Sequence, residues 1–168
     1  FVDIERLQTT IFDPSIVNLF FSDNAANAEL MGLEADFTWA PLSVDGLTIA
    51  GAFSLLDSEV TEVLTPTNDV LVGSELAFAP AYQGNLRARY EWDLSSAYTA
   101  HVMPQVVFSD SSVSDIIEIN KAELDAWVTL GATAGVSTDQ WSAELFVDNI
   151  ANEYAELSNN FVFDRERV

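Results

Sequence analysis

From 82 to 94 the chain reads Tyr-Gln-Gly-Asn-Leu-Arg-Ala-Arg-Tyr-Glu-Trp-Asp-Leu, apolar or Gly at every even number and polar at every odd one. Successive side chains of a β-strand point to opposite faces, so a period of two specifies an extended strand with one apolar and one wet face. The pattern recurs. Leu124, Ala126, Val128, Leu130, Ala132, Ala134 and Val136 line one face of another segment; Asp125, Thr129, Thr133 and two glycines oppose them, and Trp127 is the one bulky apolar residue on that polar side. Segments 98–108, 47–55, 33–39 and 141–147 alternate as well, whereas 2–12 is less regular and points to a bulge. Seven strands are expected, at 1–12, 28–40, 46–58, 81–94, 97–109, 122–137 and 140–150. Pro104 has no N–H to give to a ladder, which favours an edge or a bulge in the fifth.

Strands of soluble proteins are mostly about 5–6 residues long, and membrane-spanning ones about 9–11. These segments are of the second kind. Their connections alternate: long at 13–27, 59–80, 110–121 and after 150, short at 41–45, 95–96 and 138–139. An antiparallel meander puts successive connections at opposite ends, so short turns gather on one rim and long loops on the other, as in outer-membrane barrels. Trp39, Trp92, Tyr98 and Trp141 lie near the short turns on the apolar faces, where a membrane-interface girdle places its rings. The expected fold class is all-β, an antiparallel up-and-down transmembrane β-barrel. Alternation alone also fits a soluble acidic β-sandwich that binds a ligand. The length fits a complete, passive eight-stranded outer-membrane barrel, although 161–168 is short and charged for an eighth strand.

Composition narrows the function. Asp and Glu number 27 against 6 Lys and Arg, a formal charge of −21, yet 49% of residues are hydrophobic. A disordered acidic tail is excluded by that apolar content, and nucleic acid is an unsuitable partner because phosphate binding needs clustered bases. With no cysteine there is no disulfide framework, thiolate zinc site or Cys nucleophile. Arg87, Arg89, His101 and Glu144 fall on the polar faces as candidate wall residues, the arginines with Glu91 or Glu144 as partners. Glu34 and Asp36 share a polar face, but two acids in water need no shifted pKa and do not imply acid–base chemistry. His101 is the only histidine, so neither a His-rich metal site nor a His-based triad is expected. Oxygens from Asp110 to Asp115 could face Ca²⁺ but lack the spacing of a dedicated loop. No nucleophile elbow, P-loop or dinucleotide fingerprint occurs, so no enzyme activity and no cofactor are expected.

Asn24, Ala25, Ala28, Gly32, Leu33 and Glu34, in the run NAANAELMGLEADFTWAP followed by Gly46-Leu47-Thr48-Ile49, resemble the C-terminal barrel of TonB-dependent outer-membrane receptors. Leu76-Ala77-Phe78-Ala79-Pro80 with Leu86 and Tyr90 resembles that family's approach to a later strand. The stretch 141–154 is similar to its penultimate strand, with Ile150 and Asn152 in place of the usual Leu and Asp. The resemblance implies a barrel of twenty-two strands around an N-terminal plug. At 168/7 = 24 residues per strand such a barrel needs about 530 residues, so 1–168 would be a C-terminal segment, about a third of the wall, without plug, TonB box or last strand. It also implies the function: an outer-membrane active-transport receptor of a Gram-negative cell, importing siderophore-iron, cobalamin, haem or an oligosaccharide. Its partners would be outer-membrane lipid, its own plug, the TonB energy-coupling protein and the small-molecule or metal-chelate substrate caught by the long loops. Within the motif, Gly32 would allow close backbone approach, Leu33 would face lipid and Glu34 the lumen.

Overall fold

The structure is a computed structural model describing residues 1–12, 20–65 and 69–159. Among these residues nine strands follow in order: β1 (Val2–Phe12), β2 (Phe20–Trp39), β3 (Leu47–Val63), β4 (Tyr82–Ser95), β5 (Tyr98–Ser109), β6 (Ser112–Val113), β7 (Glu123–Leu124), β8 (Trp127–Ser137) and β9 (Ser142–Val147). Seven form one antiparallel sheet, β1-β2-β3-β4-β5-β8-β9, each paired with the next of the seven along the chain. The remaining β6 and β7 make a small ribbon inside a loop. The sheet is an up-and-down meander, open along β1 and β9 among the described residues.

Several boundaries differ from the expectation. Residues 20–27 and 59–63, read as loop, extend β2 and β3, because Asn24 and Ala26 find β1 partners in Gln8 and Leu7 while Ala26 and Asn27 pair with Val63 and Glu62. Cross-strand pairing overrides a composition that reads as loop. The segment 122–137 is not one strand: Glu123–Leu124 turns away to pair with Val113 and Ser112, and Leu124, 3% exposed, is buried among the loops. Strand 140–150 stops at Val147, just before Asn149 takes a left-handed φ of 49°. Pro104 marks neither edge nor bulge. It pairs with Ala132 inside the sheet, and the ladder to β4 is interrupted between Arg87↔Gln105 and Tyr90↔Val102 without a change of register. The irregular β1 does carry a bulge, at Arg6, whose φ is 60° and whose N–H donates to Asn27 Oδ1 at 2.9 Å.

Directly paired residues point the same way, so register assigns the faces. Ala35, Phe53, Gly84, Phe108 and Val128 form one rung across β2, β3, β4, β5 and β8, and Phe37, Gly51, Leu86, Val106 and Leu130 the next. Opposite them run Glu34–Ser54–Gln83–Ser109–Trp127 and Asp36–Ala52–Asn85–Val107–Thr129. The apolar face remains open, with Leu33 58%, Leu130 45% and Leu145 82% exposed. A sandwich would bury that face against a second sheet; an apolar surface of this breadth calls for an apolar solvent.

Aromatic rings mark both ends of the apolar band. At the short-turn end Tyr90 stacks on Trp92 (5.6 Å) and Tyr98 meets Trp141 edge-on (6.2 Å); at the loop end Tyr82 lies against Phe108 (6.4 Å). Tyr82 and Trp92 are 92 − 82 = 10 steps apart, which at about 3.3 Å per step and the usual tilt of about 40° gives a height of about 25 Å. That matches the apolar band of a membrane barrel. Beyond the rung Leu33–Leu55–Tyr82 the same face turns acidic, with Asp57 opposite Met31 and then Asp3, Glu29 and Glu59 side by side. Three carboxylates in one rung repel and need water.

The buried core lies at the loop end. Ala25, Ala26, Ala28, Val60, Val70, Leu76, Ile116 and Ile117 cluster there, with Ile4, Leu7, Leu30 and Val63 against them. Beyond β4's reach, β3 is continued by loop backbone: Leu56 N–H donates to Ala81 O and Val60 N–H to Ser74 O, each at 2.8 Å. The next loop backs the first through Phe78 N–H to Val113 O (2.8 Å) and Glu118 N–H to Asp69 O (2.7 Å). The described parts of these loops therefore form a packed cap.

Candidate functional site

The four candidate wall residues lie on the polar face, at the rungs their numbers predict. Arg89 pairs with Glu91 of its own strand at 2.9 Å. Arg87 stands opposite Ala50 and Gln105 and makes no ion pair among the described residues. Glu144 does not take an arginine. Its Oε1 lies 3.0 Å from Nε2 of His101, which is 4% exposed. The ring N–H is poorly aimed at the carboxylate, so this is a close contact and not a hydrogen bond.

What joins these two residues is the glycine between them. His101, Gly135 and Glu144 occupy one rung of β5, β8 and β9, and a Cβ on Gly135 would stand 2.5 Å from His101 Cε1 and 2.9 Å from Glu144 Cγ. The imidazole crosses the bare backbone of Gly135 to reach the next strand. The device repeats at Gly131, opposite Gln105, whose Nε2 crosses to donate to Asp148 Oδ1 at 3.1 Å. Gln105 and Asp148 were not singled out from sequence; the glycines interrupting the polar face of 124–136 were their only signal. Gly135→Ala is expected to cost about 1–3 kcal/mol, because the ring must leave its seat. In a His101→Ala background the same change should cost less, because only the 2.9 Å approach to Glu144 Cγ is left to relieve, so a denaturant-unfolding double-mutant cycle reads the imidazole's share of the contact.

Above these crossings the wall is hollow. Glu34, Asp36, Ser54, Gln83, Asn85 and Trp127 line a cavity of about 590 Å³ on the polar face near the loop rim. The acids of the 110–115 run serve the backbone: Asp110 Oδ1 accepts from Ser111 N–H (2.9 Å) and Asp115 Oδ1 from Ile117 N–H (3.0 Å). No group of three metal-ligating side chains occurs among the described residues.

The motif residues serve the scaffold. Ala25 and Ala28 are fully buried in the loop-end core, and Ala25 O accepts from Leu64 N–H at 2.8 Å. Asn24 O accepts from the Thr65 hydroxyl at 3.3 Å. At Gly32 any Cβ would come within 2.6 Å of the Leu55 carbonyl, while Leu33 and Glu34 point to opposite faces. Near the C-terminal end, Asn149 closes a turn with two bonds to the Glu153 backbone, each 2.8 Å. Trp39, Tyr98 and Trp141 are exposed on the apolar side close to the short turns, and Trp92 is half-buried under Tyr90.

The family model described as TonB dependent receptor-like, beta-barrel matches residues 2–150. The chain belongs to the TonB-dependent receptor barrel family. Nothing among curated proteins or solved structures matches it. A TonB-dependent receptor barrel stands in the outer membrane, which explains both faces of this sheet: the apolar one meets lipid, and the polar one, with the glycine crossings and the cavity, lines the lumen. The family match also sets aside the soluble sandwich.

Proposed function

We propose that this chain is part of an energised importer in the outer membrane of a Gram-negative cell, and that it is not an enzyme. It would take up a scarce nutrient from the classes siderophore-iron, cobalamin, haem and oligosaccharide, using energy delivered by the inner-membrane TonB complex to a plug seated in the barrel. The reading rests on one observation above all: a membrane-length meander, apolar outside and polar inside, that matches the receptor barrel over nearly its whole length. The packed cap made by the described parts of loops 64–81 and 110–126 then forms part of the outer vestibule, and the wall below it faces plug or water. Loops that carry specificity on a rigid scaffold suit capture at this end.

The test is uptake by cells expressing the full receptor. Binding of the nutrient at the surface should survive an uncoupler of the proton gradient, while its accumulation inside should stop. Accumulation that continues unchanged and rises without saturation as concentration rises would make the protein a passive pore.

A further inference from the structure

We propose that the outer mouth of the lumenal wall is a saccharide track, a site that receives a neutral, hydroxyl-rich chain laid across the strands. The proposal rests on the importer reading above and names the substrate class at that wall.

The track is visible in the register. Glu34, Ser54, Gln83, Ser109 and Trp127 are successive partners in one rung, and Asp36 and Asn85 belong to the next. Four inter-strand gaps of about 4.8 Å make the first rung about 19 Å long, too long for one small ring and suited to an extended ligand. Its chemistry is graded. Carboxylates at one end only accept, the amides and Ser54 in the middle both donate and accept, and Trp127 at the other end offers a flat aromatic face. Sugar hydroxyls need donors and acceptors together, and the C–H face of a sugar ring needs an aromatic plane to rest on.

Among the described residues Glu34, Asp36, Ser54, Gln83 and Asn85 have no side-chain hydrogen bond or ion pair. Lower on the same wall Arg89, Gln105 and His101 are engaged with Glu91, Asp148 and Glu144. Trp127 is otherwise unexplained. The other tryptophans, at 39, 92 and 141, belong to the lipid face, whereas Trp127 stands half-buried on the lumenal one beside the cavity of about 590 Å³. The position is on the way in: Tyr82 O accepts from Asp110 N–H at 2.8 Å, so the loop cap is tied to the rim directly above.

Charge and spacing disfavour two other kinds of cargo. Glu34 and Asp36 repel an anionic metal chelate. An organic cation wants carboxylate and aromatic face around one point, and here they stand at opposite ends of the rung.

The test is calorimetric titration of the purified full receptor with neutral hexamers of α-1,4-glucose, β-1,3-glucose and β-1,4-mannose. At least one should bind, Trp127→Ala should weaken it at least tenfold, and Trp127→Phe should keep most of the affinity. Should Trp127→Ala fail to fold, the pair Gln83→Ala with Asn85→Ala carries the same expectation. Absence of binding by all three hexamers, or binding that these variants leave unchanged, overturns the track. So does a tetraalkylammonium ion that binds in a Trp127-dependent way. Energy-dependent uptake of a metal chelate without hexamer binding would sink the track and leave the importer; hexamer binding with uncoupler-insensitive uptake would do the reverse.

Discussion

Leu86→Arg is expected to destabilise the bilayer-embedded receptor by about 2–4 kcal/mol, whereas Asn85→Arg, one residue earlier, should cost less than about 0.5 kcal/mol. Leu86 sits in the rung Phe37–Gly51–Leu86–Val106–Leu130, between the ring of Tyr82 on one side and those of Tyr90 and Trp92 on the other. A guanidinium there must lose water or stretch toward a headgroup. Asn85 belongs to the rung of Asp36 and Ala52 on the opposite face, so an arginine at 85 enters an acidic, wet lumen. The midpoint of urea unfolding in liposomes measures the difference. Equal costs at 85 and 86 would mean that lipid does not distinguish the two faces.

The second large effect comes from a turn. Gly46→Val should cost about 2–4 kcal/mol, the sum of left-handed backbone strain in a β-branched residue and a clash. Gly46 has φ +79°, and a Cβ there would collide with the Glu91 carbonyl oxygen; its own carbonyl accepts from Glu91 N–H at 2.9 Å. This contact starts the β3–β4 ladder at Leu47↔Tyr90, so displacing it disturbs the register at its origin. Gly73 is the control. Its φ is +86°, but a Cβ would meet nothing within 4 Å, so Gly73→Ala should cost only the backbone term of about 1 kcal/mol. Similar losses at both sites would show that the Gly46 contact contributes nothing.

Period-two alternation made the membrane strands legible because burial in lipid acts on each residue separately, and even-numbered Leu86, Ala88 and Tyr90 report it one by one. Other features depend on partners distant in sequence. Val70, Ile116 and Ile117 are isolated apolar residues in loops, and their burial exists only once two loops meet over Ala28 and Val60. Asn24 to Asn27 reads as a loop, yet pairing on both sides makes it strand. Arg89 with Glu91 was within reach of sequence, since the pair lies two residues apart on one face. Gln105 with Asp148, and His101 with Glu144, face each other across β8; only a glycine in that strand brings them together. Trp127 was visible from the outset as a breach of its own pattern. Its meaning needed the register that places it in line with Glu34.

The two-faced wall can be tested most directly by spin labelling, for which the absence of native cysteine in this chain is an advantage. Single cysteines from 83 to 92, carrying nitroxides in the full receptor reconstituted in a bilayer, report collisions with oxygen, which concentrates in lipid, and with a water-soluble nickel chelate. Oxygen maxima at 84, 86, 88 and 90 with nickel maxima at 83, 85, 87 and 89 are expected. Loss of the alternation, or its opposite phase, would contradict a wall with lipid on one side and an aqueous lumen on the other.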